Sequence, residues 1–173
     1  MAEFLPAYEQ MIRDEGGYKL TNIKGDAGGV TYAGIARNMN PSWAGWEYID
    51  RGATPPSELV RSFYRDGYWV PIKGDLIVSQ SVAACVFNFA VNTSAYGNPK
   101  VAVKLLQSVV GATPDGVFGP RTLEAVNQCD ERLFLSQFTL AKIARYAAIC
   151  NKNRQQTKFL LGWVNRALKG AKV

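Results

Sequence analysis

The stretch from Arg13 to Ile35 brings together Glu15, Asp26 and Thr31 on a background of glycines, in a chain that contains no histidine. Two carboxylates and a hydroxyl are what acid-catalysed cleavage of a glycosidic bond needs. One carboxylic acid protonates the leaving oxygen, and the second carboxylate activates water or attacks the sugar. In that scheme Glu15 is the acid, and Thr31 holds a water by its hydroxyl beside Asp26, as an inverting hydrolase requires on the opposite sugar face. By spacing alone, an acid followed by two glycines and an Asp-containing turn is usually no more than a helix cap and a hairpin.

The missing histidine removes Ser-His-Asp and Cys-His nucleophiles, HExxH metalloproteases and His-ligated zinc sites together. Cys85, Cys129 and Cys150 are odd in number, lack CxxC spacing and sit among apolar residues, so reduced thiols are expected rather than a disulfide framework. Neither a metal nor an organic cofactor is called for, because acid, base and water positioning are all supplied by side chains.

The elements that must position these residues are legible in outline. Phe4, Tyr8, Met11 and Ile12 fall at helical spacing, and Gly16-Gly17 end the pattern, which places Glu15 at a helix C-terminus. There the negative end of the helix dipole disfavours the charged carboxylate. Tyr18 to Ile23 and Val30 to Ile35 read as two short strands joined by the glycine-rich reversal Lys24 to Gly29, a hairpin that returns Asp26 and Thr31 toward Glu15. Further helices are expected over Ser57 to Tyr68, Leu76 to Val91, Pro99 to Val110, Arg121 to Asn127, Glu131 to Cys150 and Thr157 to Leu168. The fold class is therefore mainly α with a small β-hairpin near the N-terminus.

Residues 76–99 carry no charge, but Gln80, Asn88 and Asn92 argue for a buried core helix over a membrane span. The acidic N-terminal twenty residues do not form a signal peptide, so synthesis in the cytoplasm is expected, and reaching a substrate outside it needs another agent. The chain of 173 residues has net charge +6, concentrated in its second half. Residues 96–173 hold 12 basic and 4 acidic groups, and nothing acidic follows Ala141. Such a run attracts an anionic wall or membrane. Nucleic acid is not favoured as a partner, since no helix-turn-helix, RRM or zinc pattern accompanies the charge.

Glu15-Gly16-Gly17-Tyr18, followed by Asp26-Ala27-Gly28-Gly29-Val30-Thr31-Tyr32-Ala33-Gly34-Ile35, resembles the signature of the glycoside hydrolase family 108 N-acetylmuramidases. The resemblance continues through Tyr64-Arg65-Asp66-Gly67-Tyr68-Trp69-Val70-Pro71, Phe87-Asn88-Phe89-Ala90-Val91-Asn92 and Gly162-Trp163-Val164-Asn165-Arg166. Pro114-Asp115-Gly116-Val117-Phe118-Gly119-Pro120 is similar to the turn of helical peptidoglycan-binding modules. The loop before Asp26 is longer than the family's usual one, and Asn88 stands where an acidic residue is expected.

The resemblance implies a lysozyme-like helical fold, with a catalytic part over residues 1–95 and a helical peptidoglycan-binding-like part over 96–173. It implies Glu15 as general acid, Asp26 and Thr31 as water-positioning residues, and monomeric lysis of bacterial peptidoglycan at the muramic β-1,4 bond, of the kind a phage endolysin or a secretion-associated enzyme performs. Tyr18, Tyr32, Trp69 and Asn92 are the candidate substrate contacts, although aromatics at this density are more often core. A lytic transglycosylase would cut the same bond with one Glu and the substrate's own hydroxyl. A non-catalytic wall-binding module would leave Glu15, Asp26 and Thr31 without a task.

Overall fold

A computed structural model describes residues 1–22 and 28–170. The first helix, α1 (Phe4–Asp14), buries Ala7, Tyr8, Met11 and Ile12 on one stripe. It ends where Gly16 and Gly17 adopt φ of 90° and 78°, the left-handed conformation that glycine reaches without a Cβ penalty. The Gly17 amide then closes the end by donating to the Ile12 carbonyl at 2.8 Å. A three-stranded antiparallel sheet follows, of β1 (Leu20–Asn22), β2 (Val30–Tyr32) and β3 (Ile35–Ala36), in the order β1-β2-β3. The expected two-stranded hairpin is thus extended, because Ala33 and Gly34 both take positive φ and fold the chain back two residues after Thr31.

Helices α2 (Gly45–Asp50) and α3 (Ser57–Tyr64) come next. The helix expected to run to Tyr68 instead passes at Arg65 into a π turn, Arg65–Trp69. Pro56 occupies its N-cap position and supplies no side-chain capping bond. Helix α4 (Gln80–Thr93) starts later than the apolar run suggests, because the Ser79 hydroxyl caps it by accepting from the Val82 amide at 3.1 Å. It buries Val82, Ala83, Cys85, Val86, Phe87, Phe89 and Ala90, and packs on α1, α5 (Lys100–Val109) and α7 (Glu131–Lys152). Burial on nearly all sides explains its uncharged sequence; among the described residues no helix is long and apolar enough to cross a membrane.

Helix α6 (Pro120–Gln128) follows the Pro-Asp-Gly turn, and α8 (Leu160–Lys169) returns across α7 after a 3₁₀ turn, Arg154–Phe159. One cluster of apolar side chains runs from Tyr8 through Phe87 to Phe138 and Ala167, so α4 serves the core of both halves. The apolar side chains of the last helix are only partly buried. Ala167 is buried, Leu160, Trp163 and Val164 are half-buried, and Phe159, Leu168 and the 73% exposed Leu161 face outward. The three cysteines are free thiols, and burial pushes the Cys85 thiol above its ordinary range.

Candidate active site

Glu15 is the C-cap of α1, half-buried, its amide bonded to the Met11 carbonyl at 3.0 Å. The helix end aims it at the turn between β2 and β3. A Cβ built on Gly34 would lie 3.8 Å from the Glu15 Cβ and 2.6 Å from the Tyr64 hydroxyl oxygen, so the three groups crowd one spot. That hydroxyl donates to the Ala33 carbonyl at 2.8 Å, tying the turn to α3. Burial raises the Tyr64 phenol well above its ordinary value, and the neighbouring Glu15 carboxylate adds to the shift. It therefore stays a neutral donor across the physiological range.

Beneath Glu15 lies a wall of phenols. Tyr8, buried and ring to ring with Tyr64 at 6.0 Å, shares a 2.7 Å hydrogen bond with the Tyr18 hydroxyl. Tyr18 itself is 44% exposed beside the Gly16-Gly17 turn, so it keeps a face for a ligand. Thr31 sits half-buried in β2, paired with Thr21 on one side and Ala36 on the other. Among the described residues its hydroxyl has only a long contact of 3.5 Å, to the Gly29 carbonyl. Asp26 lies outside the described residues.

Two of the expected sugar contacts belong elsewhere. Trp69 is 0% exposed, packed against Phe4 and Phe87, with its indole N–H donating to Asp75 at 2.7 Å. The π turn carries it inward, and a ring without an accessible face cannot stack on a sugar. Tyr32 is likewise buried at 5% exposure, stacked on Trp43 at 6.1 Å, because it alternates with Thr31 along β2 and points to the opposite face. Asn92 is on α4, where its amide nitrogen donates to the Asn88 carbonyl at 2.8 Å and its oxygen accepts from Arg166 of α8. It lines a separate cavity with Asn88 and Asp14, on the α4–α8 side of the last turn of α1.

Tyr64 and Gly34 are the residues that reasoning from chemistry alone passes over. Both stand inside the quoted motifs, Gly34 three residues after Thr31 and Tyr64 at the head of the Tyr-Arg-Asp-Gly-Tyr-Trp run. No cluster of acidic, histidine or cysteine side chains among the described residues is arranged to hold a metal ion.

The profile of the Glycosyl hydrolase 108 family matches residues 8–93, and that of the "Predicted Peptidoglycan domain" matches residues 101–168. No curated protein matches the sequence. Among solved structures the chain is similar to that of Brucella abortus SagA, at 26% sequence identity and a TM-score of 0.65, over 98% of this chain and 96% of that one. With Glu15 of the EGGY motif at a helix end, a sheet turn folded against it and a helical second half, the chain carries a glycosyl hydrolase 108 domain over residues 8–93 and is a glycoside hydrolase acting on peptidoglycan.

Proposed function

We propose that this hydrolase is an N-acetylmuramidase, cutting the β-1,4 bond between N-acetylmuramic acid and N-acetylglucosamine by direct displacement with water. The observation that carries the reading is the convergence of Glu15, the Ala33-Gly34 turn and the Tyr64 hydroxyl at the C-terminus of α1. Glu15, as the acid, gives its proton to the glycosidic oxygen as the bond to C1 breaks. Water attacks C1 from the other face, and Asp26 takes its proton while the Thr31 hydroxyl orients it. The products are an N-acetylglucosamine hydroxyl and a reducing muramic acid of inverted configuration. Tyr18 offers its exposed ring to the glycan beside the acid.

Two features of the site support this division of labour. Among the described residues the Thr31 hydroxyl has only a long contact, and its strand leads directly into the turn that touches Glu15. A transglycosylase would need no such residue. In the cell the reading corresponds to a wall-lysing enzyme, with the basic second half assisting contact with an anionic wall.

Mass spectrometry of fragments from purified peptidoglycan tests it. Wild type is expected to release reducing muramic acid ends, and Glu15→Gln to lower their rate by about 10²–10⁴-fold, the contribution of a general acid. Wild-type products with 1,6-anhydro ends would replace this mechanism with transglycosylation, and undiminished lysis by Glu15→Gln would end it.

A further inference from the structure

Away from Glu15, a cavity of about 640 Å³ opens between α1, α4, α7 and α8. A smaller one of about 190 Å³ adjoins it and shares Asn92, Tyr146 and Arg166. The first is lined by Lys142, Arg166 and Lys169, and the second adds Arg145. Among the described residues the only carboxylate on either wall is Asp14, which pairs with Lys169 at 3.6 Å.

The other cations are poorly matched. Lys142 is 5% exposed, yet among the described residues its ammonium has only the Cys85 sulfur at 3.6 Å and the Ala167 carbonyl at 3.4 Å, with the Phe138 ring 5.3 Å away. The Arg145 Nε is buried with no hydrogen-bond partner among the described residues. Among the described residues neither side chain forms an ion pair, and the guanidinium of Arg166 hydrogen-bonds only to the neutral amide of Asn92. Burying an ammonium without a counter-charge costs several kcal/mol, so a site that keeps one is complete only when an anion enters.

We propose that the joined cavities bind the free carboxylates of the peptide stems of peptidoglycan. This rests on the reading that the chain acts on peptidoglycan strands at Glu15, and it adds a second subsite for the same substrate. Position favours it, because Asp14 on the cavity wall is the neighbour of Glu15 on the last turn of α1. A stem hanging from a glycan at Glu15 has this cavity on the adjoining face of the same helix. Chemistry favours it too. The sugars are neutral, whereas the stems carry carboxylates for the cations and amides for Asn88 and Asn165.

Isothermal titration of the full chain with a synthetic stem tetrapeptide, and with the same peptide amidated at its carboxylates, decides the matter. Saturable binding of the free acid is expected, weakened about tenfold or more in both Lys142→Met and Arg145→Met. The amidated peptide is expected not to bind. Lys142→Met removes a buried unpaired charge, so its melting temperature should not fall, and Arg145→Met stands as a second probe should the first misfold. Equal affinity for the amidated peptide, unchanged affinity in the variants, or no binding of the free acid would overturn the proposal. Because binding is read without cleavage, these outcomes leave the muramidase assignment standing, and loss of cleavage alone leaves this subsite standing.

Discussion

At Gly34 the backbone, a buried phenol and the proposed acid meet, and each constrains the other two. Its φ of 81° is costly for any other residue, and an added Cβ would lie 2.6 Å from the Tyr64 oxygen. Gly34→Ala should therefore lose ~1–3 kcal/mol of stability. It should also lower kcat more than it raises KM, since the displaced turn disturbs Glu15. Tyr64→Phe leaves the Ala33 carbonyl without its donor and should cost ~1–3 kcal/mol. The two changes share the clash, so the double variant should be less destabilised than the sum of the singles; additive values from chemical denaturation would refute the contact. Glu15 and Thr31 stand out as candidates in the sequence because their chemistry is visible in their types. Tyr64 does not, since a tyrosine on an amphipathic helix gives no sign of which partner its hydroxyl will find across the fold. Trp69 shows the converse: its type suggested sugar stacking, but its acceptor, Asp75, sits six residues on and draws the ring inward.

Among the elements, the turn between α5 and α6 shows how a motif recognisable in sequence depends on a residue that is not. Gln107, buried on α5, donates to Asp115 at 2.8 Å, to the Val117 carbonyl at 3.0 Å and to Thr122 at 3.1 Å, and accepts from the Gly116 amide at 2.9 Å. The Pro-Asp-Gly signature predicted a turn, and Asp115 duly accepts from the Val117 amide two residues on. A lone glutamine among apolar neighbours gave no hint that it organises that turn. Gln107→Met keeps the volume but strands the turn's polar groups, so a loss of ~2–3 kcal/mol is expected. That corresponds to a fall of roughly 4–12 °C in melting temperature for a chain of this size, readable by calorimetry. A shift under about 1 °C would show that water replaces the side chain without cost. Helix ends were misread for a similar reason. Periodicity located α4 and α8, but the Ser79 cap and the 3₁₀ turn after Asn153 trimmed them, because local side-chain bonds compete with continued helix.

Over the whole molecule, the lack of histidine shapes how stability responds to pH. No side chain of that type charges near neutrality, so the dependence is carried by carboxylates at one end and by phenols and the buried Cys85 thiol at the other. The acid limb involves Asp115, held below the usual carboxylate range by the Val117 amide and the Gln107 side chain, and Asp50, held down by its hydrogen bonds to Arg37. For such lowered groups the stabilisation is present above the unfolded-state value of about 4 and disappears as pH falls through the folded one. The alkaline limb involves Tyr8, Tyr64 and Tyr68, each raised chiefly by burial. For these the sign reverses. Folding is fully supported below the unfolded-state value of about 10, and above it the unfolded chain loses protons that the folded chain retains. Each retained phenolic proton then removes ~1.4 kcal/mol per pH unit. Calorimetry from pH 5 to 11 should give a plateau bounded by a steep alkaline fall, made shallower by Tyr64→Phe. An alkaline limb of unchanged slope in that variant would show that the wall beneath Glu15 opens to water before the chain unfolds, and that the phenol does not stay neutral beside the acid.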